Sequence, residues 1–473
     1  METVHMLARD EAKPLVCVQG LGFVGTAMAI ATASAVDSAG AARFEVVGVD
    51  LPTPSGQARV DAINAGELSL LSNDPSMQEC LTECRQRGNL SATTDDSVYE
   101  RADIVLVDIH LDVDLSEVDR PHVDFTHFRS AIATLGARLR PGALIIVEST
   151  VPPGTCEHVV VPELAAQLRK RGLREDSILV AHSYERVMPG QDYLRSITNF
   201  WRVYSGTTVE AADACEQFLT QVINVRDFPL TRLHSTTASE TAKVLENSYR
   251  ATNIAFIHEW GCFAERAGIN LFEVLEAIRM RPTHNNIRQP GFGVGGYCLT
   301  KDPSFAMVSG AQLLNFPDLD FPFCRLAMNT NSAMPLHSLD RLRRAMPAET
   351  LRGRRILVLG VSYRQDVGDT RFSPTETFVR AAESEGARVV VHDPLVDFWP
   401  ELGRSLPGEL PSPCDCDAVV FAVPHREYST IDMAQWLQTC RPVLLDANHV
   451  LTSAQVSSLR DHGHKLIFVG RGD

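Results

Sequence analysis

Leu15-Val-Cys-Val18-Gln-Gly20-Leu-Gly22-Phe-Val-Gly25 decides how the first part of this chain folds. A short apolar strand runs into three glycines at GxGxxG spacing. An alanine-rich helical stretch (26–36) follows, then a second apolar strand (44–49) that ends in Asp50. The glycine pattern alone is weak; with an acid closing the second strand it is a strong dinucleotide signature. Gly20 permits the tight turn, Gly22 lets a pyrophosphate approach, and Gly25 lets helix and strand pack closely. The helix N-terminus offers N–H groups and a positive dipole end to phosphates. Asp50 can accept from both ribose hydroxyls and repels a 2′-phosphate, so NAD is expected over NADP.

Working outward, strands at 102–107, 143–147 and 178–181 with helical segments between them predict a parallel, doubly wound sheet. Ligands gather at the carboxyl ends of such strands. Two of those ends carry polar chemistry: Glu148-Ser-Thr150-Val-Pro-Pro-Gly154 and His182-Ser-Tyr-Glu185-Arg-Val-Met-Pro-Gly190. Ordinary Pro/Gly turns are the competing explanation.

In the middle of the chain, Thr237-Ala-Ser-Glu240 reads as a capping box that opens a helix running to Gly268, about 45 Å long. Lys243 and Asn247 sit one turn apart on it, with Arg250 on a similar face. They form either a solvated stripe or two donors aimed at one oxygen. Asn270-Leu-Phe-Glu273 opens a second, short helix that stops before Pro282. Arg281 and Arg288 flank the approach to Gly291-Phe-Gly-Val-Gly-Gly-Tyr-Cys298-Leu-Thr-Lys-Asp302. Glycines let backbone come close to a ligand, and a thiol there can attack a bound carbonyl. A helical turn after Cys298 would set Asp302 on the same face. A buried cysteine acting as a small hydrophobe is the common alternative.

The last third alternates again. Strands at 354–359, 387–392, 417–423, 443–446 and 465–469 predict a second α/β domain, and Pro335 suits a helix start. Only Gly360 marks its first turn, so this domain is expected to bind something smaller than NAD, or only to pack. In the loop Asp366-Val-Gly-Asp-Thr-Arg371, Arg371 is either a phosphate ligand or the ion-pair partner of Asp369. The fold class is therefore α/β, with two Rossmann-like doubly wound domains joined by a central helical domain. The divisions are placed at 1–212, 213–330 and 331–473.

The 473 residues suit two or three domains, with 44% hydrophobic and 22% charged residues. A formal charge of −15 speaks against nonspecific nucleic-acid binding, but an anionic ligand needs only a local basic pocket. The 11 scattered cysteines, an odd number, suggest free thiols in a reducing cytoplasm. Residues 1–14 are polar and mixed in charge, unlike a signal peptide, and the apolar run 27–36 is too short to span a membrane. Cys80/Cys84 and Cys414/Cys416 lack a second ligand pair, so no metal is expected.

In this order the pieces resemble the nucleotide-sugar 6-dehydrogenases of the UDP-glucose/GDP-mannose dehydrogenase family, from Val16 to about Val469. The resemblance rests on Gly20–Gly25, Glu148–Thr155, Glu185–Gly190, Glu240–Arg250, the Cys298 loop and Gly368–Arg371. It implies an N-terminal NAD domain, a central helical dimer core and a C-terminal domain for the nucleotide of the sugar. It also implies oxidation of the sugar C6 alcohol to a carboxylate, with Cys298 capturing the aldehyde as a thiohemiacetal that becomes a thioester. Lys243 and Asn247 match the pair that stabilises oxygen charge at C6, which agrees with the donor-pair reading above. Asp302 matches the carboxylate that handles protons there, and Thr150 and Glu185 match positions that hold water and sugar. By the same resemblance, Phe23, Val24 and Thr150 join the glycines and Asp50 on the cofactor. Arg186, Arg250, Phe292, Gly295 and Arg371, with Arg281 or Arg288, join Glu185, Lys243 and Asn247 on the substrate. A homodimer or higher homo-oligomer, a cytoplasmic location and a place in making surface polysaccharides or specialised glycosides follow as family expectations.

The chain departs from the family at four places. Val107-Asp-Ile-His110-Leu-Asp-Val-Asp114 replaces a Val-Pro-Thr-Pro-like turn, Tyr184 replaces a proline, Arg364 a lysine and Phe372 a glutamate. Glu185–Gly190 resembles the UDP-N-acetylhexosamine branch, whereas Gly295-Gly-Tyr-Cys298 resembles UDP-glucose enzymes. A UDP-N-acetylhexosamine is favoured, ahead of UDP-glucose and GDP-mannose. Two other classes compete: a two-electron hydroxyacid-type dehydrogenase that needs no thiol, and a non-catalytic nucleotide-sugar-binding protein.

Overall fold

The computed structural model describes residues 13–68, 74–117, 120–186, 190 and 192–472. Most of the polar amino-terminal stretch, and Val187-Met-Pro189 of the second strand-end motif, lie outside them. The chain divides into two compact units, 1–246 with 304–320, and 247–303 with 321–473.

The first unit is built on eight strands: β1 Leu15–Gln19, β2 Glu45–Val49, β3 Leu90–Thr93, β4 Ile104–Val107, β5 Leu144–Val147, β6 Leu179–Tyr184, β7 Val203–Gly206 and β8 Thr231–Arg232. Their order is β3-β2-β1-β4-β5-β6-β7-β8. β1, β4 and β5 are buried along their whole length, as strands covered by helices on both faces must be. Side chains alternate between the two covers. Val16 and Val18 enter one apolar core, Leu15 and Cys17 the other. The order reverses between β1 and β4, so a crevice opens beyond their carboxyl ends, where Gly20 and Asp108 lie. The sheet is not wholly parallel as expected: β7 runs antiparallel to β6. Val203-Tyr-Ser-Gly206 is too short and too polar to announce itself.

The second unit carries β9 Arg355–Leu359, β10 Arg388–His392, the short hairpin β11 Phe398–Trp399 with β12 Arg404–Ser405, then β13 Ala418–Phe421, β14 Val443–Asp446 and β15 Leu466–Phe468. Its main sheet is fully parallel, ordered β10-β9-β13-β14-β15. Ile356 and Val358 of β9 face one core, Leu357 and Leu359 the other.

The long helix spans Thr236–Ala267, 32 residues, and Gly268 terminates it with φ +70°. It begins in the first unit and ends in the second. A second long helix, Pro322–Ala345, overturns the expected start at Pro335. Pro322 takes the first turn, where a missing N–H costs nothing, and Pro335 sits in the interior. Pro335 fits there against the glycine loop: a Cβ on Gly293 would stand 3.2 Å from its ring. The expectation of free thiols throughout also fails, because Cys414 and Cys440 form a disulfide with Cα atoms 5.0 Å apart. The two cysteines are 26 residues apart, and nothing in their spacing marks them as a pair. Among the described residues no helix is long and apolar enough to cross a membrane.

Candidate active site

At the end of β1 the chain turns through Gly20 with φ +96°, a conformation open to glycine and strained for other residues. Its N–H donates to the Val49 carbonyl at 2.8 Å, and a Cβ would lie 2.7 Å from the Asp108 carbonyl oxygen. A Cβ on Gly25 would collide with the carbonyl of Gly20, so the third glycine serves the turn itself. Nothing stands within 4 Å of a Cβ placed on Gly22, which precedes the helix Phe23–Ser34. Half-buried Phe23 and Val24 form its first turn. The Leu21 N–H donates to Asp50 at 3.2 Å, so the acid is held at the mouth of the turn. Arg59 grips the same carboxylate with two nitrogens, at 2.8 and 3.2 Å. No motif had singled out Arg59. An open helix start beside a placed carboxylate fits the pyrophosphate and ribose of NAD.

At the ends of β4 and β5 the unit buries acids. Glu148 is 1% exposed and accepts from Arg202, itself 1% exposed, at 3.0 Å. Thr150 follows, half-buried. In the altered turn, Asp108 keeps the strand geometry, its N–H donating to the Gln19 carbonyl at 2.9 Å. Burial, with the charges of Glu148 and Glu185, pushes the Asp108 carboxyl well above the usual range. Burial also raises Glu148 against the pull of Arg202. His182 is buried next to Lys243, and both effects drive it down to about 3, leaving a neutral ring. Its Nδ1 lies 2.7 Å from the Ser239 hydroxyl.

Lys243 and Glu185 meet. The Lys243 ammonium donates to the Glu185 carbonyl at 2.8 Å and to its carboxylate at 3.3 Å, and both residues are buried. The Tyr184 ring lies 5.4 Å beneath the ammonium, and the Arg186 guanidinium lies at the same distance over that ring. The tyrosine that departs from the family thus provides a π-face for two cations. Arg186 pairs with Glu246, to which the Tyr184 hydroxyl also donates at 3.1 Å.

Glu240 corrects the capping-box reading. The Ser235 hydroxyl accepts from the Ala238 N–H at the start of the long helix. The Glu240 carboxylate instead accepts from Gly154 N–H at 2.6 Å and Cys156 N–H at 2.8 Å, bracing the Pro152-Pro-Gly154 turn after β5. Ser/Thr-x-x-Glu spacing looks the same whichever N–H the glutamate reaches.

In the second unit, Asn247 donates to Asp302 at 2.7 Å and Lys301 donates to the same carboxylate at 2.9 Å; Asp302 is 1% exposed. The expected turn after Cys298 forms: the Asp302 N–H donates to the Cys298 carbonyl at 2.9 Å, and a short 3₁₀ turn, Asp302–Ser304, continues it. The Cys298 side chain is exposed. The loop before it is pressed against the turn of the C-terminal sheet. A Cβ on Gly295 would lie 2.6 Å from Tyr363, and Gly296 turns with φ +77° beside the same ring. The Tyr297 ring packs edge-on to Phe372 at 5.4 Å. Of the two readings of Arg371, the ion pair with Asp369 is present, made with two nitrogens at 2.9 and 2.7 Å. Phe292 is buried against Phe378, Arg250 is half-buried, and Arg281 and Arg288 are exposed. The structure thus groups Lys243 with Glu185 in one unit, and Asn247 with Asp302 and the Cys298 turn in the other. One helix carries Lys243 and Asn247 a turn apart.

Three sequence profiles match this chain, all of the UDP-glucose/GDP-mannose dehydrogenase family: its NAD binding domain over residues 14–222, its central domain over 237–333 and its UDP binding domain over 357–453. UDP-N-acetyl-D-mannosamine dehydrogenase of Pyrococcus horikoshii is 29% identical over 467 residues, covering 97% of this chain and 99% of that protein. NDP-N-acetyl-D-galactosaminuronic acid dehydrogenase of Ralstonia nicotianae is 28% identical over 429 residues, covering 88% and 92%. The solved structure of the Pyrococcus horikoshii UDP-D-ManNAc dehydrogenase superposes with a TM-score of 0.81 at 27% identity, covering 97% of this chain and all of that one.

Proposed function

We propose, from the premise that this chain belongs to the UDP-glucose/GDP-mannose dehydrogenase family, that it oxidises the C6 alcohol of a UDP-N-acetylhexosamine to the uronic acid. The relatives' sugars favour that branch over UDP-glucose or GDP-mannose. The observation that carries the reading is the exposed Cys298 one turn before a buried Asp302 bonded to Asn247.

NAD, held by the Gly20–Gly25 turn and Asp50, supplies the hydride-accepting chemistry. The Lys243 ammonium and the Asn247 amide stabilise negative charge on the C6 oxygen as it loses its proton. Cys298 adds to the aldehyde carbon, giving a thiohemiacetal, which oxidation converts to a thioester. Glu185 and Thr150 position the water that cleaves it, and Glu185 takes a proton from that water. Asp302 holds Asn247 and exchanges protons with the thiol. Arg186, Arg250, Gly295 and Arg371, with Arg281 or Arg288, contact the nucleotide sugar, and Phe292 shapes the loop from beneath.

The domain divisions at 212/213 and 330/331 belong to the same reading. So do a homodimer through the exposed Tyr249, Phe256, Trp260 and Phe263 face of the long helix, a cytoplasmic location and a role in supplying acidic sugars for polysaccharide.

The test is NADH yield on a panel of UDP-N-acetylhexosamines, UDP-glucose and GDP-mannose. Two reduced cofactors per sugar support the thioester route; one would select the two-electron class, and none the non-catalytic class. Cys298→Ala should abolish acid formation with NAD binding retained. Lys243→Ala should cut kcat by about 10²–10³-fold with little change in binding.

A further inference from the structure

A second thiol has a chemical environment of its own. Cys262 lies on the long helix, and its Sγ is 3.7 Å from Nε2 of His258 and 3.7 Å from Nε2 of His337. His337 comes from the second long helix, and its Nε2 lies 2.8 Å from a Glu265 carboxylate oxygen. Glu265 is anchored in turn by Arg341 at 2.8 Å and by the Gly470 N–H, also at 2.8 Å. The group is thus a thiol between two imidazoles, one of them backed by a carboxylate. That is the arrangement that holds a cysteine as thiolate and a histidine as imidazolium.

All these residues belong to the second unit, and none is part of the Cys298 loop. At roughly 100° per residue, His258, Cys262 and Glu265 share one side of the helix, and the exposed Tyr249, Phe256, Trp260 and Phe263 run down the other. A partner covering that apolar face would leave the thiol side uncovered. The cluster is also independent of the function proposed above, because none of its members is assigned a step there.

We propose that Cys262 is a second reactive thiol, separate from Cys298, and a site of alkylation by small electrophiles and of oxidation by peroxides. In the oxidative step the Cys262 thiolate attacks one peroxide oxygen. An S–O bond forms, the O–O bond breaks, and the departing hydroxide takes a proton from the imidazolium of His337 to leave as water. The sulfur loses two electrons and becomes a sulfenic acid; the peroxide gains them. After the step the sulfur and His337 are both neutral, so Glu265 no longer faces an imidazolium. The change is therefore felt at Glu265 and Arg341, which hold the Gly470–Arg471 segment.

The charged and titrating groups around the sulfur are His258 and Glu265 on its own helix and His337 and Arg341 on the other. The C-terminal segment contributes the Gly470 N–H and the Arg471 carbonyl. Burial alone would raise the thiol. The hydrogen bonds and charges of His258 and His337 outweigh it and bring Cys262 down to about 6. Burial likewise lowers His337, but Cys262 and Glu265 together lift it to about 9.

The experiment is iodoacetamide labelling of the full-length protein from pH 5 to 9, with every cysteine followed by peptide mass spectrometry. A matched series with hydrogen peroxide and dimedone traps the sulfenic acid. A low-pKa thiolate is intrinsically less nucleophilic, which trims the advantage of its larger ionised fraction. After that correction Cys262 should label about tenfold faster than the half-buried Cys324 at pH 6, with its half-maximal rate near pH 6. His258→Gln and His337→Gln, each checked for an unchanged melting temperature, should move that midpoint up by about one unit or more. A Cys262 midpoint near that of an ordinary thiol, about 8.5, overturns the proposal. So does a profile that neither histidine variant moves, or a tightly bound zinc ion that blocks labelling until it is chelated.

Discussion

The two glycine turns, after β1 and after β9, are built alike and finished differently. Gly20 and Gly360 both adopt positive φ, +96° and +101°, and each donates its N–H to the end of the next strand, Val49 and His392, at 2.8 Å. In each, an aspartate after that second strand accepts from the residue following the glycine: Asp50 from Leu21, Asp393 from Val361. The difference lies in what occupies the mouth. Past Gly20 a helix starts within three residues, and space stands open over Gly22. Past Gly360 the helix waits until Pro374. Asp393 is consumed from within, by Ser362 N–H at 3.0 Å and by the His425 ring at 3.1 Å. One sheet sets its acid beside an open helix start, where Arg59 and Leu21 hold it, and the other ties the corresponding acid into its own loop. The strand-turn-strand geometry is thus shared scaffold, and the two turns diverge in the few residues after the glycine.

Breaking the two glycines should give the largest effects and separate the two roles. Gly20→Val forces a β-branched residue to φ +96° against the Asp108 carbonyl, a strain of about 1–3 kcal/mol before the collision is counted. NAD binding should vanish in a fluorescence titration. Gly360→Val overlaps Val423 and should lower the melting temperature while any protein that folds still binds NAD; equal loss of NAD binding would make the two turns functionally alike.

The aspartates sharpen the contrast at smaller scale. Asp50→Asn should weaken NAD by about 10–100-fold and relax the preference against NADP, with little change in stability. Asp393→Asn should do the reverse, costing about 1–3 kcal/mol in urea unfolding and leaving the NAD affinity intact. Burial alone would push Asp393 up, but His425 and the N–H groups of Ser362 and Leu395 more than offset it and hold the carboxyl below its usual value. A depressed folded pKa stabilises above the unfolded value and is lost as pH falls through the folded one. The stability gap between wild type and Asp393→Asn should therefore be full at pH 6 and close below about pH 4. The smallest effect concerns the brace after β5. Glu240→Ala orphans two buried N–H groups and should cost about 1–3 kcal/mol while hardly altering the labelling rate of Cys298.

Periodicity and glycine spacing carried most of the architecture. Strands buried on both faces read as unbroken apolar runs, and the helix that ends at Gly268 shows its period over eight turns. The Cys298–Asp302 turn was legible because both residues are local to one another. What escaped was what depends on distant partners. Arg59 matters only because its helix returns to Asp50. Glu240 mimics a cap while serving a turn 84 residues away. Tyr184 has meaning only under Lys243 and Arg186. The Cys414–Cys440 bridge and the Cys262–His337 approach join residues that no spacing rule connects.

Residues 470–472 are stitched to the end of the long helix and to the turn and helix that follow it. Glu265 takes the Gly470 N–H, the Ile269 carbonyl takes that of Gly472, and the Gly470 carbonyl receives the Leu271 N–H. Lengthening or cutting the 470–472 segment would therefore tug on interior architecture. Anyone engineering the protein there would be editing a seam, with consequences for the same rod that bears Asn247.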